Sequence, residues 1–456
     1  MKTKLQTTTS LLAALTALLG GGPVAQAQSA ASALTPTRAV DTPPVERLFG
    51  DWGGLQPTLA ASGISLQVGA IAEVAGNVSG GTKQGATSAN QLGVNLDINF
   101  ERLSGIEGFS THVILVNRSG SSDSVLFGDH LLPVQEIYGS GGNVGVHLVS
   151  AYGEETLLDG RFDITFGRMN VENDFASSGL YCNFTSNALC GDPKALPGGD
   201  IGHSAYPDAV WATRLRIRPT EQTYIKIGVY EVDQGLYSDK DRTGFEFNIS
   251  QASGVYIPVE IAWEPKLGQA AELPGHYKLG VGYDSTPGYK DFSSQLPPFA
   301  PGFSDRTHTG NLQGWGLFDQ MLARNGPGSD QGLIALLGFI LNNQNHTAYA
   351  QQYYAGLVEK GFLQSRPQDA VSLLLLYVDI SPNLISVEQI QQQLDVPLSN
   401  NATGIQSHEG LVELDYNIHV FRGVNVRPDF QYIIRPNAQS NVRNAPVLGF
   451  HTDVEF

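Results

Sequence analysis

Nothing in this chain beyond residue 27 is long and apolar enough to cross a bilayer as a helix. The longest apolar stretches there, "GLIALLGFIL" (332–341) and "AVSLLLLYV" (370–378), are about half the ~20 residues that a spanning helix needs. Basic residues are also scarce: 27 Lys and Arg stand against 44 Asp and Glu, for a net charge of −17. That balance argues against a nucleic-acid partner, whose phosphates a binding surface must neutralise. Charged residues make up only 16 %, whereas Gly is abundant (52) and aromatics reach 9 %. Helix formers are therefore in short supply, and the composition favours strands and turns. Recognisable catalytic signatures are missing as well. The sequence has no Gly-x-Ser-x-Gly elbow, no phosphate loop, no His-Glu-x-x-His and no zinc-like ligand spacing, so it implies no cofactor or metal.

The first residues point to export. "MKTKLQTTTSLLAALTALLGGGPVAQAQ" has a basic start (Lys2, Lys4), an apolar run from Leu11 to Leu19, and Ala25-Gln26-Ala27. This is the order of a secretory signal peptide cut after Ala27. The expected organisation is a signal peptide (1–27), a flexible Pro/Ser/Ala/Thr-rich leader (28–44), a short helix or turn segment (45–63) and one strand-rich body (64–456).

What is present in that body is alternation. In "SHEGLVELDYNIHVFRG", Glu409, Leu411, Glu413, Asp415, Asn417 and His419 share one face, and Gly410, Val412, Leu414, Tyr416, Ile418 and Val420 the other. After a turn at Arg422–Gly423, Val424, Val426, Pro428, Phe430, Tyr432 and Ile434 oppose Asn425, Arg427, Asp429, Gln431 and Arg435, interrupted only by Ile433. Period-two patterning means strands. "QLGVNLDINFE", "WATRLRIRP" and "TYIKIGVYE" repeat it, and roughly sixteen or seventeen such segments run from Ile64 to Phe456, with 331–358 the least regular. A β-sandwich also alternates, but its strands are short and its apolar faces fill one core about 10 Å thick. Long strands, numerous apolar faces and aromatics near strand ends fit a transmembrane antiparallel β-barrel better. At about sixteen strands the interior is too wide for side chains to fill, and an aqueous channel that hydrates the polar rows is expected.

Three stretches also resemble a known family. "LFGDWGGLQPTLAASGI" (48–64), "GFLQSRPQDAVSLLLLYVDIS" (361–381) and "VRPDFQYIIRPNAQSNVRNAPVLGFHTDVEF" (426–456) are similar to the carbohydrate-selective porins of the OprB type, from the Gram-negative outer membrane. The resemblance covers residues 45–456. It implies an all-β barrel of sixteen strands, opened by a short periplasmic helix, through which small sugars such as glucose diffuse passively. Outer-membrane lipids and lipopolysaccharide would surround it. Ser365-Arg366-Pro367 departs from the family's usual Gly-Arg-Pro, and "LLLL" (373–376) breaks the alternation. A homo-trimer is common among porins, and the sequence leaves that open. A general or anion-preferring diffusion pore, an outer-membrane barrel enzyme and a soluble binding module are the alternatives.

A sugar-selective channel needs hydrogen bonders opposite aromatic surfaces, holding the solute weakly enough to release it. Arg214, Arg216 and Arg218 form the densest same-face basic row, and planar guanidinium groups suit paired hydroxyls. Glu73, Asp97, Glu260, Glu413, Asp415 and Asp429 lie on other polar faces as candidate opposites. Tyr224, Tyr230 and Tyr256 offer stacking surfaces or rim contacts. Cys182 and Cys190, the only cysteines, fall in a Gly-, Asn- and Pro-rich stretch from Asn173 to Tyr206. Export favours a disulfide pinning an extracellular loop, which can fold inward to narrow the pore. At the chain end, Pro446, Leu448, Phe450, Thr452, Val454 and Phe456 form one row, expected to face lipid in a strand that closes on the first. Family resemblance suggests that Phe456 is also the address read by the barrel assembly machinery.

Overall fold

The computed structural model describes residues 46–138, 142–236, 243–270, 272–328, 330–399 and 402–456. The signal peptide and leader expected at 1–44 lie outside the described residues. After a short helix α1 (Leu55–Ala61), the chain runs almost entirely as strands: β1 (Ile64–Asn77), β2 (Gly85–Asn99), β3 (Phe109–Gly120), β4 (Val144–Leu157), β5 (Phe162–Met169), β6 (Val210–Thr220), β7 (Thr223–Asp233) and β8 (Ala252–Trp263). The second half holds β9 (Lys266–Leu267), β10 (Leu273–Lys290), β11 (Thr307–Arg324), β12 (Gly332–Leu341), β13 (Tyr349–Lys360), β14 (Ala370–Ile380), β15 (His408–Phe421), β16 (Val424–Ile434) and β17 (Ala445–Glu455).

Apart from the two-residue β9, each strand pairs antiparallel with its neighbours along the chain, and β1 pairs with both β2 and β17. The sheet is therefore closed. Sixteen strands form the wall, because the two-residue β9 only extends the start of β10 while β8 pairs directly with β10. Closure matters in lipid, which offers no hydrogen bonds to a free edge.

The seam register puts Gly69 opposite Glu455 and Asn77 opposite Val447. Short turns such as 158–161, 221–222 and 422–423 lie on the rim where Leu48 and Glu455 meet, which is the periplasmic rim by the usual barrel pattern. At one of them Gly423 has φ +72, and a Cβ there would meet the Leu48 nitrogen at 2.4 Å. Glycine fits this turn because another segment lies against it. Leu48 donates to the Glu455 carbonyl at 2.7 Å, and Phe49 stacks on Phe456 with ring centroids 5.7 Å apart. The N-terminal segment thus clasps the closing strand from below.

The outer wall is apolar, as alternation requires. Ile225, Ile227, Val229, Leu373, Leu375, Leu414, Phe430, Leu448 and Phe450 are all exposed on it. The inner wall departs from the expectation of a water-hydrated polar row. Much of the lumen is filled by two loops that turn inward, the β3–β4 loop with helix α2 (Asp123–Phe127) and the long β5–β6 loop (170–209). Their apolar side chains pack against the inner wall, which explains the breaks in alternation. Leu374 and Leu376 point inward from β14, Leu336 from β12 and Ile433 from β16, all buried in one cluster with Phe175, Phe184, Leu189 and Leu196 of the β5–β6 loop. The irregular stretch 331–358 is two ordinary wall strands facing this packed region.

Candidate functional site: the lumen and its constriction

The β5–β6 loop is fastened by acceptors on the wall. Glu413 Oε1 takes the backbone N–H groups of Thr185 (2.7 Å) and Ser186 (2.9 Å), while the Thr185 hydroxyl donates to Asp415 (3.0 Å). Ala176 N–H donates to Glu260 (2.9 Å) and Ala195 N–H to Gln352 (2.7 Å). Between these anchors Cys182 and Cys190 are disulfide-bonded and buried, so the bridge braces a loop inside the barrel rather than on its surface. The β3–β4 loop is held similarly, with Gln431 donating to the Val134 carbonyl (2.8 Å) and Ile137 N–H to Glu73 (3.2 Å).

Burial sets the protonation of the loop groups. It pushes the Glu172 carboxyl up to about 8, aided by nearby Asp192, and the Asp123 carboxyl up to about 6. It pushes the His203 imidazole down to about 3. The 2.7 Å contact of His203 Nε2 with Asp192 is a buried hydrogen bond in which desolvation disfavours the charged form of both partners.

Beside the loop, one wall is basic. Arg214, Arg216 and Arg218 project inward from β6 at every second residue, a spacing of about 6.6 Å along a strand. Their side chains are 7 %, 32 % and 28 % accessible. Arg214 is enclosed by Asp163, Asp174 (3.2 Å) and Glu154 (3.9 Å). Arg216 shares Asp163 (2.9 Å), and Arg218 reaches Glu264 (2.9 Å) while lying 5.4 Å over the Tyr224 ring. Lys226 sits opposite Arg216 in register and pairs with Glu260 (3.1 Å), and Lys278 on β10 donates to the Ser177 carbonyl (2.6 Å). In a sixteen-stranded ring β15 is eight strands from β6, so Glu413 and Asp415 stand on the opposite wall, covered by the β5–β6 loop that lies between.

The structure places the six acids in different roles. Glu260 is fully buried between Lys226, Trp315 (3.0 Å) and Tyr224 (2.9 Å). Glu413 and Asp415 hold the β5–β6 loop. Glu73 supports Ile137 and meets His451 (2.9 Å), and Asp429 accepts from Gln431 (2.9 Å). Asp97 holds His112 (2.7 Å), whose ring stacks on Tyr152 near Glu154. Tyr224, Tyr230 and Tyr256 all point inward and are buried, Tyr224 at the periplasmic start of β7. Sequence reasoning brought the arginines together but missed Asp163, Asp174, Lys226 and Lys278. Cross-strand register, which sets Lys226 beside Arg216, was the signal that could have added one of them.

Among the described residues, Glu73, Glu136 and His451 bring ligand atoms within 4.8 Å of one another. Both His451 nitrogens already face carboxylates, Glu73 at 2.9 Å and Asp453 at 3.0 Å, so the group reads as a buried charge network.

A closed sixteen-stranded barrel with an apolar exterior, a loop-narrowed lumen and charged inner walls defines an outer-membrane diffusion channel. The carbohydrate-selective porin family of the OprB type matches residues 83–456, and the chain belongs to it. "Porin B" of Pseudomonas aeruginosa is 28 % identical over 429 residues, spanning 90 % of this chain and 91 % of that one. "Putative porin QuiX" of Acinetobacter baylyi is 27 % identical over 426 residues, 90 % of this chain and 93 % of its own. The high-pH structure of Pseudomonas putida OprB superposes with a TM-score of 0.82 at 25 % identity, over 90 % of this chain and 99 % of that one. This protein is thus a sugar-selective porin of the Gram-negative outer membrane.

Proposed function

We propose that selection takes place along the Arg214–Arg216–Arg218 ladder, where the β5–β6 loop narrows the lumen. The observation that carries this reading is the partial freedom of two guanidinium groups. Arg216 and Arg218 each meet one carboxylate yet stay about a third accessible, which leaves donors for passing hydroxyls. Glu264 and the partly accessible Glu154 supply acceptors beside the ladder, while the buried Asp163 and the Tyr224 ring hold the guanidinium groups in place. A small neutral sugar exchanges hydrogen bonds from rung to rung without meeting a single tight site, as conduction requires. Arg214, enclosed by three acids, keeps the ladder in place and joins it to the loop through Asp174. Of the acids expected from sequence, Asp97 remains a candidate wall contact, whereas Glu73, Glu260, Glu413, Asp415 and Asp429 act by fixing loops and neighbouring side chains. The protein works as a conduit, without chemical turnover of its solute.

Planar-bilayer recordings test this. The purified protein gives discrete conductance steps that small sugars partly block, and Arg216→Ala relieves the block while the steps persist. Steps insensitive to every sugar would instead mark a general diffusion pore.

A further inference from the structure

The alternation that puts Trp211, Leu215 and Ile217 on the lipid side also puts two charged residues there. Arg168 lies two residues beyond the exposed Phe166 on β5, and Glu231 two beyond the exposed Val229 on β7. They flank Trp211 in register, Arg168 on one side and Glu231 on the other, near the extracellular ends of β5, β6 and β7. A charge facing hydrocarbon is costly. Yet neither faces it, since Arg168 is 2 % and Glu231 9 % exposed.

The cover is a strip of the β7–β8 loop, residues 243–250, that folds over the outside of the barrel. At one end the Thr243 carbonyl accepts from Leu148 N–H of β4 (2.7 Å), and Gly244 lies so close to Leu148 that a Cβ would sit 2.1 Å from its carbonyl oxygen. In the middle the Trp211 indole donates to the Phe247 carbonyl (3.1 Å), with the two rings 6.3 Å apart. Along the strip's free side Phe245, Phe247 and Ile249 recur at every second residue, 48 %, 50 % and 65 % exposed. Trp211 in turn stacks on Phe166, which continues the apolar wall below.

We infer that this strip is a membrane-embedded belt: residues 243–250 lie in the outer leaflet, with Phe245, Phe247 and Ile249 against its acyl chains. The occupant is assigned by continuity, because Trp211 links the Phe247 ring to Phe166, so the three side chains adjoin the exposed lipid-facing Phe166 and Val229. The belt replaces the charged pair Arg168 and Glu231 with an apolar surface, and so raises the hydrophobic band of the barrel on this side.

The test is site-directed spin labelling of the full-length protein in liposomes. Both native cysteines are in the disulfide, so single cysteines placed at Phe245, Phe247 and Ile249 are the only free thiols. Each variant is first checked for folding by heat-modifiable gel mobility. Collision with oxygen, which concentrates in acyl chains, is compared with collision with a water-soluble nickel chelate. Leu375→Cys on the outer wall and Lys83→Cys on the β1–β2 loop serve as lipid and water references. The belt predicts oxygen-to-nickel ratios near that of Leu375→Cys and severalfold above that of Lys83→Cys at all three positions. Ratios matching Lys83→Cys would overturn it, placing the strip in water. Protection from both reagents with dipolar broadening between labels would also overturn it, placing a second copy of the chain on the strip.

Discussion

Glu413→Ala is the sharpest test of how the constriction is held. One carboxylate oxygen takes two loop N–H groups at 2.7 and 2.9 Å, and the side chain is fully buried. A net hydrogen bond is worth about 1 kcal/mol, and an orphaned buried N–H costs about 1–3 kcal/mol. Water entering from the lumen will rescue part of that, so seating of the loop should weaken by about 2–4 kcal/mol. At 1.4 kcal/mol per tenfold, amide exchange at Thr185 and Ser186 should speed up by roughly 30- to 700-fold. The disulfide and the anchors at Glu260 and Gln352 keep the loop inside the barrel, so the channel should grow noisier and more conductive rather than lose its constriction. Sugar block should weaken in parallel. Glu413→Gln, which keeps an acceptor oxygen, should show a much smaller change. Hydrogen exchange read by mass spectrometry and single-channel recording are the assays. Unchanged exchange and conductance in Glu413→Ala would refute the idea that wall carboxylates seat the loop.

Replacing both cysteines with serine should destabilise the seated loop by at most about 2–3 kcal/mol, the closure entropy of a ring this short, seen as faster proteolysis within 182–190. Gly280→Ala puts a Cβ 2.2 Å from the Trp315 ring and should displace that indole from Glu260, lowering the unfolding midpoint with a cost of about 1–3 kcal/mol. The pH response follows from the loop groups. Glu172 and Asp123 titrate higher when the loops are seated, so seating stability is present at low pH and lost as pH rises from about 4.5 to 8 and from about 4 to 6 respectively. His203 acts oppositely: its seated value near 3 lies below the ordinary 6.5, so its contribution is full above 6.5 and is lost as pH falls toward 3. Amide protection factors across 170–209, corrected for the base-catalysed intrinsic rate, should accordingly be lower at pH 8 than at pH 6, and equal or higher protection at pH 8 would contradict this. Deleting Phe456 should impair assembly far more than trimming a frayed end, measured as the folded fraction in outer-membrane extracts.

The wall was legible in the sequence because a barrel strand obeys one rule, apolar outward and polar inward, and segments such as 409–420 and 424–435 follow it almost without exception. Where the rule failed, as at Leu374, Leu376 and Ile433, the failure itself recorded the inward loops, which no local pattern reveals. The same blind spot affected the acids. Glu260 and Glu413 read as solvated wall residues because their partners, the backbone N–H groups of Ala176, Thr185 and Ser186, lie 84 to 228 positions away in the chain. The arginine row was visible as spacing, but Asp163, which organises it, stands on a different strand. Likewise Arg168 and Glu231 sit in lipid-facing positions that alternation alone would call mistakes. Only a loop folded over the outside accounts for them.

The clasp at the seam carries a topological consequence. Leu48 and Glu455 share a hydrogen bond, so the start and the end of the barrel meet at one point on one rim. The wall is then a ring without a privileged first strand. A short linker across that gap would let the chain be reopened elsewhere, for instance within 78–84, and the same hoop of sixteen strands could be threaded in a rotated order. The cut could not fall within 170–209, where the loop and the wall hold each other in place.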